Sequence, residues 1–411
     1  MKILKILGIC ASIAVLSGCT RAIEPNDFAY VVAIGVDKSG TENNYEFTLQ
    51  IANPMAVSGG SSEQGGEGGE KTVSELTILA PSAFSAVNMA NHLYSKQVSL
   101  AHTKLIVFSD EIAKNEGLKG HSETIARSEE IRPNTFMSVV KGSAKEYLSE
   151  IKPTNEVNPV QYYQVIYESD ILSYIPENPC QDFYAYELTD ERENVLPLSG
   201  IQQEGDSKPP LIYEGFEYML KNYTAGEIQT DSEQKTQTIG MAIFSDGKLI
   251  AETGSVETEL FNIITGTYNR SEITYYDANS QEKPITVAQF SQKKPKIKVD
   301  ISGDHPVIYL KVFLEADLRT VTENYLLEKE FDGFELEVQD EIKTAIDKFL
   351  YKTSREYKSD IVGFGSYAKR KFRTYQDFHE YNWQEKYQNA EFVTEVEFRM
   401  RRSGLIDRKV G

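Results

Sequence analysis

The chain's inventory for nucleophilic, acid–base or metal chemistry is small: five histidines, His92, His102, His121, His305 and His379, and three cysteines, Cys10, Cys19 and Cys180. The histidines lie scattered without metal-ligand spacing. His379-Glu380 runs on into Tyr381-Asn382-Trp383, so the helical zinc motif of metalloproteases is absent. Neither the serine elbow G-x-S-x-G nor the phosphate-cradling GxxxxGK[ST] occurs. Gly363-Phe364-Gly365-Ser366-Tyr367-Ala368 loosely matches a dinucleotide fingerprint, which needs a preceding strand. A helical pattern and the polar Lys358-Ser359-Asp360 precede it instead, so the two glycines read as a helix stop and restart. With 62 Asp and Glu, paired acids arise at any spacing by chance, and no pair stands out as general acid and base. No catalytic, cofactor-binding or metal-ligating residue is therefore assigned. Three cysteines also exclude a disulfide framework and any four-cysteine zinc or iron–sulfur cluster.

One cysteine sits where a thiol has a use. Lys2 and Lys5 precede an apolar run, Ile6 to Leu16, too short for the ~20 residues that a helix needs to span a bilayer. A basic start and a short apolar core read as a secretory signal over residues 1–18. Leu16-Ser17-Gly18-Cys19 then resembles the lipobox of bacterial lipoproteins, where diacylglycerol is joined to the thiol and cleavage falls just before it. Cys19 is thus the expected lipid-attachment site; the bland alternative is a plain cleaved signal with an incidental cysteine. Two acyl chains anchor durably where one does not, at ~0.8 kcal/mol per buried CH₂. Residues 19–26 form the tether. Its seven residues from Thr20 to Asn26 reach ~25 Å at most, which keeps the folded body beside the bilayer. With Cys10 removed and Cys19 acylated, Cys180 stands alone and reads as a buried, inert thiol rather than a reactive one.

Charge narrows the partners. The 43 Lys and Arg against 62 Asp and Glu give −19 over 411 residues. Taking away Lys2 and Lys5 leaves 41 against 62, or −21. A body so acidic is a poor nucleic-acid binder, since phosphate backbones demand cationic surface. It is also repelled by anionic headgroups, so the lipid and not electrostatics holds it at the membrane. Against that background Lys369, Arg370, Lys371 and Arg373, with Arg399, Arg401 and Arg402, form a basic cluster. A solvated helix face is the preferred reading; contact with headgroups or an acidic partner loop is the alternative.

The elements that must carry these residues can be read from periodicity. Phe28 to Asp37 is a buried strand, and Tyr45, Phe47, Leu49 and Ile51 alternate as a second that pairs with it as a hairpin. Ser58 to Glu70, glycine-rich and without apolar residues, reads as an exposed loop. Pro81 opens a helix, Lys104 to Ser109 is a strand, Asp110 caps a following helix, Asn134 to Lys141 is a strand, and Ser143 caps a helix through Glu150. Pro153 to Leu188 holds seven aromatic residues, among them Tyr162, Tyr163, Tyr167, Tyr174, Tyr184 and Tyr186. They read as the rim of a helical segment rather than a ligand surface. Glu187 to Pro210, ending in Pro209-Pro210, is the expected inter-domain linker. Beyond it, Thr238 to Phe244 and Lys248 to Glu252 flank Asp246-Gly247, a hairpin signal. Ser255 caps a helix stopped by Gly266, Ile297, Val299 and Ile301 alternate as a strand, and Pro306 to Leu318 is a long one. Ile342, Ile346, Phe349 and Leu350 mark a helix face, and Phe392 to Met400 is a closing strand. The expected fold is mixed α/β, multi-domain, with mostly antiparallel or mixed sheets and packed helices: 27–200 an N-terminal region in two subdomains, and 201–411 a C-terminal domain.

The lipobox is followed by Asn26-Asp27-Phe28-Ala29-Tyr30-Val31-Val32-Ala33-Ile34-Gly35-Val36-Asp37 and Tyr45-Glu46-Phe47-Thr48-Leu49-Gln50-Ile51. Further on come Glu130-Ile131-Arg132-Pro133-Asn134 and Val140-Lys141-Gly142-Ser143-Ala144-Lys145, the stretch Gly240 to Gly266, and Ser359-Asp360-Ile361-Val362-Gly363-Phe364-Gly365. Trp383 and Arg401-Arg402-Ser403-Gly404-Leu405-Ile406 close the series. In this order, from Cys19 to about Ile406, it resembles the Ger(x)C family, the lipoprotein C subunits of spore nutrient-germinant receptors. The resemblance implies a mixed α/β protein of three domains on the outer face of the spore inner membrane. It implies assembly with two integral-membrane subunits, A and B, and no catalytic residues; only Cys19 transfers, as the lipid site. The loop Ser58 to Glu70 and the segment Pro153 to Leu188 depart from the family's pattern. A solute-binding lipoprotein feeding a transporter is the alternative function, set back by hairpin-linked strands and dissimilar halves. A surface hydrolase is the least supported.

Overall fold

A computed structural model describes residues 27–53, 72–152, 158–168, 173–177, 179–203, 222–277, 280–320 and 327–402. The signal, the tether, the glycine-rich loop, Pro209-Pro210 and Ser403 to Ile406 lie outside these residues.

The first half is built on β1 (Phe28–Lys38), β2 (Tyr45–Ala52), β3 (Val73–Ala80), α1 (Ala83–Ala90), β4 (Gln97–Ser99), β5 (Leu105–Ser109), α2 (Asp110–Asn115), α3 (Lys119–Ala126), β6 (Phe136–Val140), α4 (Ala144–Ser149), α5 (Pro159–Tyr167), α6 (Cys180–Glu187) and β7 (Val195–Ile201). Strands β8 (Thr236–Ser245) and β9 (Lys248–Thr253) complete a mixed sheet in the order β3-β2-β1-β5-β6-β7-β8-β9, with β4 paired beside the start of β1. Neighbours β1, β5, β6 and β7 run parallel, flanked by antiparallel pairs on both sides. Parallel strands have helices on both faces and read as unbroken apolar runs; every residue of β5 and of β6 is buried. Period-two alternation sends Ile106, Phe108, Met137 and Val139 to one face, under α1, α2 and α6. It sends Leu105, Val107, Phe136 and Val140 to the other, under α4 and α5.

The second half adds α7 (Ser255–Thr265), β10 (Arg270–Asp277), β11 (Ser280–Asp300), β12 (Val307–Thr320), α8 (Leu327–Tyr351) with a π turn at Lys352–Tyr357, α9 (Gly365–Lys369), α10 (Tyr375–Tyr381), α11 (Trp383–Tyr387) and β13 (Glu391–Arg402). Its sheet runs β10-β11-β12-β13; the first three strands are antiparallel, while β12 and β13 are parallel and joined through α8 to α11. Ile342, Ile346, Phe349 and Leu350, expected on one helix face, are all buried against Ile308, Leu310, Val312 and Leu314.

Several expectations are corrected. The stretch 187–210 is not a linker where it is described: Val195 to Ile201 is a buried strand, and the first sheet continues past residue 201 through β8 and β9. These strands serve two cores. Leu196, Leu198, Ala242 and Phe244 join the first half, and Val195, Met241 and Ile243 on the opposite face join the second. Asp110 does not cap α2. Ser109 takes the N-cap position, and the Asp110 carboxylate accepts a bond from the Gly142 N–H instead. Ser255 likewise lies inside α7 behind Gly254, and its hydroxyl accepts from the Tyr223 N–H. The turn signals at Asp246-Gly247 hold: φ is +47° and +74°, the mirror-image turn that matches strand twist. Gly266 ends α7 at φ +79°.

Candidate functional site

Cys19 lies outside the described residues. Cys180 is buried at the start of α6, with its Sγ donating to the Arg132 and Pro133 carbonyls and burial pushing the thiol up to about 11. At that acidity almost no nucleophilic thiolate exists at neutral pH, so this cysteine packs and does not react. The histidines remain apart. His305 pairs with Glu391 at 3.0 Å, and exposed His379 pairs with Asp190 at 2.5 Å, the carboxylate raising the imidazole's affinity for its proton. Among the described residues no three His, Cys, Asp or Glu side chains converge as metal ligands, and no helix is long and apolar enough to cross a membrane.

The tyrosine-rich segment is structural where it is described, but the rim reading is corrected: Tyr163 and Tyr167 fill the core while Val165 is exposed. Tyr163 is buried and donates to Gln50 Oε1 at 2.5 Å, and Tyr167 stacks on Phe136 with ring centroids 5.4 Å apart. Ile171 and Leu172, expected with Val165 and Ile166 as the buried apolar face of this segment, lie outside the described residues. The basic cluster is largely answered by acids and rings: Lys369 pairs with Glu191, Arg370 lies over Tyr367, Arg399 pairs with Glu397, and Arg401 reaches Glu315 and Asp317.

The glycines that mimic a dinucleotide loop form a hydrogen-bonded lock. A π turn, not a strand, precedes them. Asp360 is fully buried, and its carboxylate accepts the Gly363 N–H at 2.9 Å, the Gly365 N–H at 2.8 Å and Trp383 Nε1–H at 2.8 Å. Burial pushes this carboxyl up, and the N–H donors oppose that shift. Gly363 has φ +90°, and a Cβ at Gly365 would lie 2.3 Å from the Glu191 carbonyl oxygen, so both positions need glycine. The lock joins the halves. The Asp360 carbonyl accepts the Glu193 N–H, and Ser359 Oγ donates to the Phe244 carbonyl. Beside it the Arg192 guanidinium lies over Tyr186 and Phe261, its charge disfavoured by burial and favoured by Tyr186 and Asp360.

A cavity of about 400 Å³ opens in the first half. Its walls are Ile34 and Val36 of β1, Phe47 of β2, Ile106 and Phe108 of β5, Ile125 of α3 and Ile131. Pro81 and Ser82 enter at the start of α1, and Glu116, Gly117, His121 and Thr124 come from the α2–α3 corner. The His121 ring stands edge-on to Tyr45 at 4.9 Å and lies 5.4 Å from Phe108. Desolvation pushes its pKa down to about 4, so it is neutral at pH 7. Glu116 is held by Lys38 and by the Tyr45 hydroxyl, the latter at 2.7 Å. The corner is seated on the β8–β9 turn: the Leu118 N–H donates to the Gly247 carbonyl at 2.8 Å, and a Cβ at Gly117 would lie 2.8 Å from that same oxygen. No spacing in the sequence announces this cavity, because its lining comes from separate segments, each of which reads as core or surface alone.

Comparison with known proteins covers nearly the whole chain. The family described as the spore germination protein N-terminal domain matches residues 21–201. The one described as spore germination B3/GerAC-like, C-terminal, matches residues 239–404. Spore germination protein KC of Bacillus subtilis (strain 168) is 25% identical over 401 residues, 96% of this chain and 94% of its own. Spore germination protein YndF of the same organism is 21% identical over 433 residues, 97% of this chain and 96% of its own. The crystal structure of the GerBC protein shares the fold with a TM-score of 0.54 at 17% identity, over 90% of this chain and 98% of that one.

Proposed function

The chain belongs to the Ger(x)C family of spore germination proteins, and on that premise we propose that it is a non-catalytic, lipid-anchored subunit of a spore germinant receptor. In this reading it assembles with the integral-membrane A and B subunits, held at the outer face of the spore inner membrane by acyl chains on Cys19. The observation that carries the reading is the match of both germination-protein regions, in order, over residues 21–201 and 239–404. The side-chain chemistry supports it: the thiol of Cys180 is buried and weakly acidic, the histidines stand apart, and the loop that resembles a nucleotide site is filled by its own Asp360 carboxylate. Anchoring suits a body of such negative charge, which anionic headgroups repel.

Complementation of a gene deletion in the host spore-former tests this. Spores without the gene are expected to lose the response to one class of nutrient, and the full chain is expected to restore it and to co-purify A and B subunits. Cys19→Ala is expected to lose fatty-acid labelling and to leave the membrane fraction. A deletion that germinates normally on every nutrient refutes the receptor role; continued labelling of the variant refutes the anchor.

A further inference from the structure

We propose that the cavity between β1, β2, β5, α1 and α3 is a binding site for a small uncharged molecule with an aromatic or branched-aliphatic body and one hydrogen-bonding group. The inference goes beyond the receptor reading and does not depend on it. At about 400 Å³ the space falls within the ~300–1,000 Å³ of small-molecule sites, which are mostly apolar with a few placed polar groups. Ile34, Val36, Phe47, Ile106 and Phe108, each no more than 2% exposed, supply the apolar wall.

Its place in the sheet agrees. Of the wall residues on β1 and β5, adjacent parallel strands, Ile34 and Ile106 pair within the sheet, and Val36 and Phe108 pair toward the carboxyl ends. There the strand order reverses: the chain leaves β1 outward through β2 and β3, and leaves β5 the opposite way through β6 and β7. Ligands of open α/β sheets gather outside the carboxyl ends of strands at such a reversal.

The polar groups select the ligand. Among the described residues the ring nitrogens of His121 have no hydrogen-bond partner, so a neutral imidazole offers one donor and one acceptor to whatever enters. Tyr45, Phe47, Phe108 and His121 present ring edges and faces to an aromatic guest. An anion would meet the Glu116 carboxylate. A cation would have to displace Lys38 from it and lose its water against apolar walls.

Benzyl alcohol, benzoate and benzylamine share one ring and differ in charge, which makes them suitable probes. Equilibrium dialysis against the full chain in nanodiscs, with empty nanodiscs as the blank, is expected to show saturable binding of benzyl alcohol. A dissociation constant of about 0.1–1 mM suits so small a ligand, at least about tenfold tighter than for either charged analogue. Thr124→Phe and Gly120→Leu each place bulk at the cavity and are expected to weaken binding about tenfold or more. Gly120 has open space around its Cβ position, and leucine favours the helix, so that variant folds even where Thr124→Phe does not. His121→Phe keeps the apolar wall and is expected to lose about fivefold or more. Non-saturable uptake, equal binding of the three probes, or unchanged binding in a folded Gly120→Leu protein would overturn the proposal.

Discussion

Replacing Asp360 gives the sharpest test of how the two halves are held. Its carboxylate takes three N–H donors, from Gly363, Gly365 and Trp383. In Asp360→Asn one oxygen can stay with Gly365 and Trp383, but the amide then points its own N–H at the Gly363 N–H. One buried donor left without an acceptor costs ~1–3 kcal/mol. The substitution also removes one of the negative charges that favour the buried Arg192 guanidinium, leaving that cation less well compensated. The carboxylate's own desolvation penalty is relieved in return, since burial already pushes it toward the neutral form. The expected net loss is about 2 kcal/mol for Asp360→Asn, and about 5 kcal/mol or more for Asp360→Ala, which orphans all three donors. Trp383 is the single tryptophan, fully buried in the core it reports on, so urea titrations followed by its emission read the loss directly. An Asp360→Asn protein within about 1 kcal/mol of the parent would refute the lock.

Two further substitutions probe the cores. Glu259 is buried with its carboxylate accepting from Ser271 Oγ at 2.5 Å, and desolvation pushes it up to about 7. Since this folded value lies above the unfolded one, stability falls as pH rises from about 4.5 through 7; between pH 5 and pH 8 the loss is ~2–3 kcal/mol. Glu259→Gln is expected to flatten the pH profile of the urea midpoint by that amount relative to the parent, and an unchanged profile contradicts the assignment. Gly240 has φ +94°, and a Cβ there would lie 2.1 Å from the Thr253 carbonyl oxygen. Gly240→Ala is therefore expected to cost about 3 kcal/mol, from strain and a backbone shift together, and a variant with the parental midpoint would show that β8 and β9 can part without penalty.

Much of the fold is legible in the sequence where a local rule and a tertiary demand agree. Ser143 caps α4 by accepting from the Glu146 N–H, and Asp246-Gly247 closes its hairpin. Legibility fails where tertiary contacts override the local rule. Asp110 has the right type to cap α2, but Gly142, 32 residues on, takes its carboxylate. β3 is an edge strand with half-exposed positions after a glycine-rich stretch, and its alternation was too shallow to read. β11 hides its length: Gln292, Lys293, Lys294, Lys296 and Lys298 face outward, and register shifts near Lys293 break the period. β7 was masked by the polar residues before it and by Pro197, which sits at a register shift in the β7–β8 pair. The series Ser359 to Gly365 with Trp383 is legible as a family pattern but not as a mechanism; in the fold one buried carboxylate takes the N–H groups of Gly363, Gly365 and Trp383.

The cavity and the lock are joined by a run of hydrogen bonds through the β8–β9 turn. The Leu118 N–H at the cavity corner donates to the Gly247 carbonyl, and the preceding Asp246 N–H donates to Glu193 Oε2. The Glu193 N–H donates in turn to the Asp360 carbonyl. Strands β7 and β8 run alongside, each with one face in either core. Packed interiors are stiff and have discrete arrangements rather than continuous ones. Neither half can therefore repack against β7 and β8 without disturbing the other. The shared strands and the Asp360 lock thus place the two cores in one packed body.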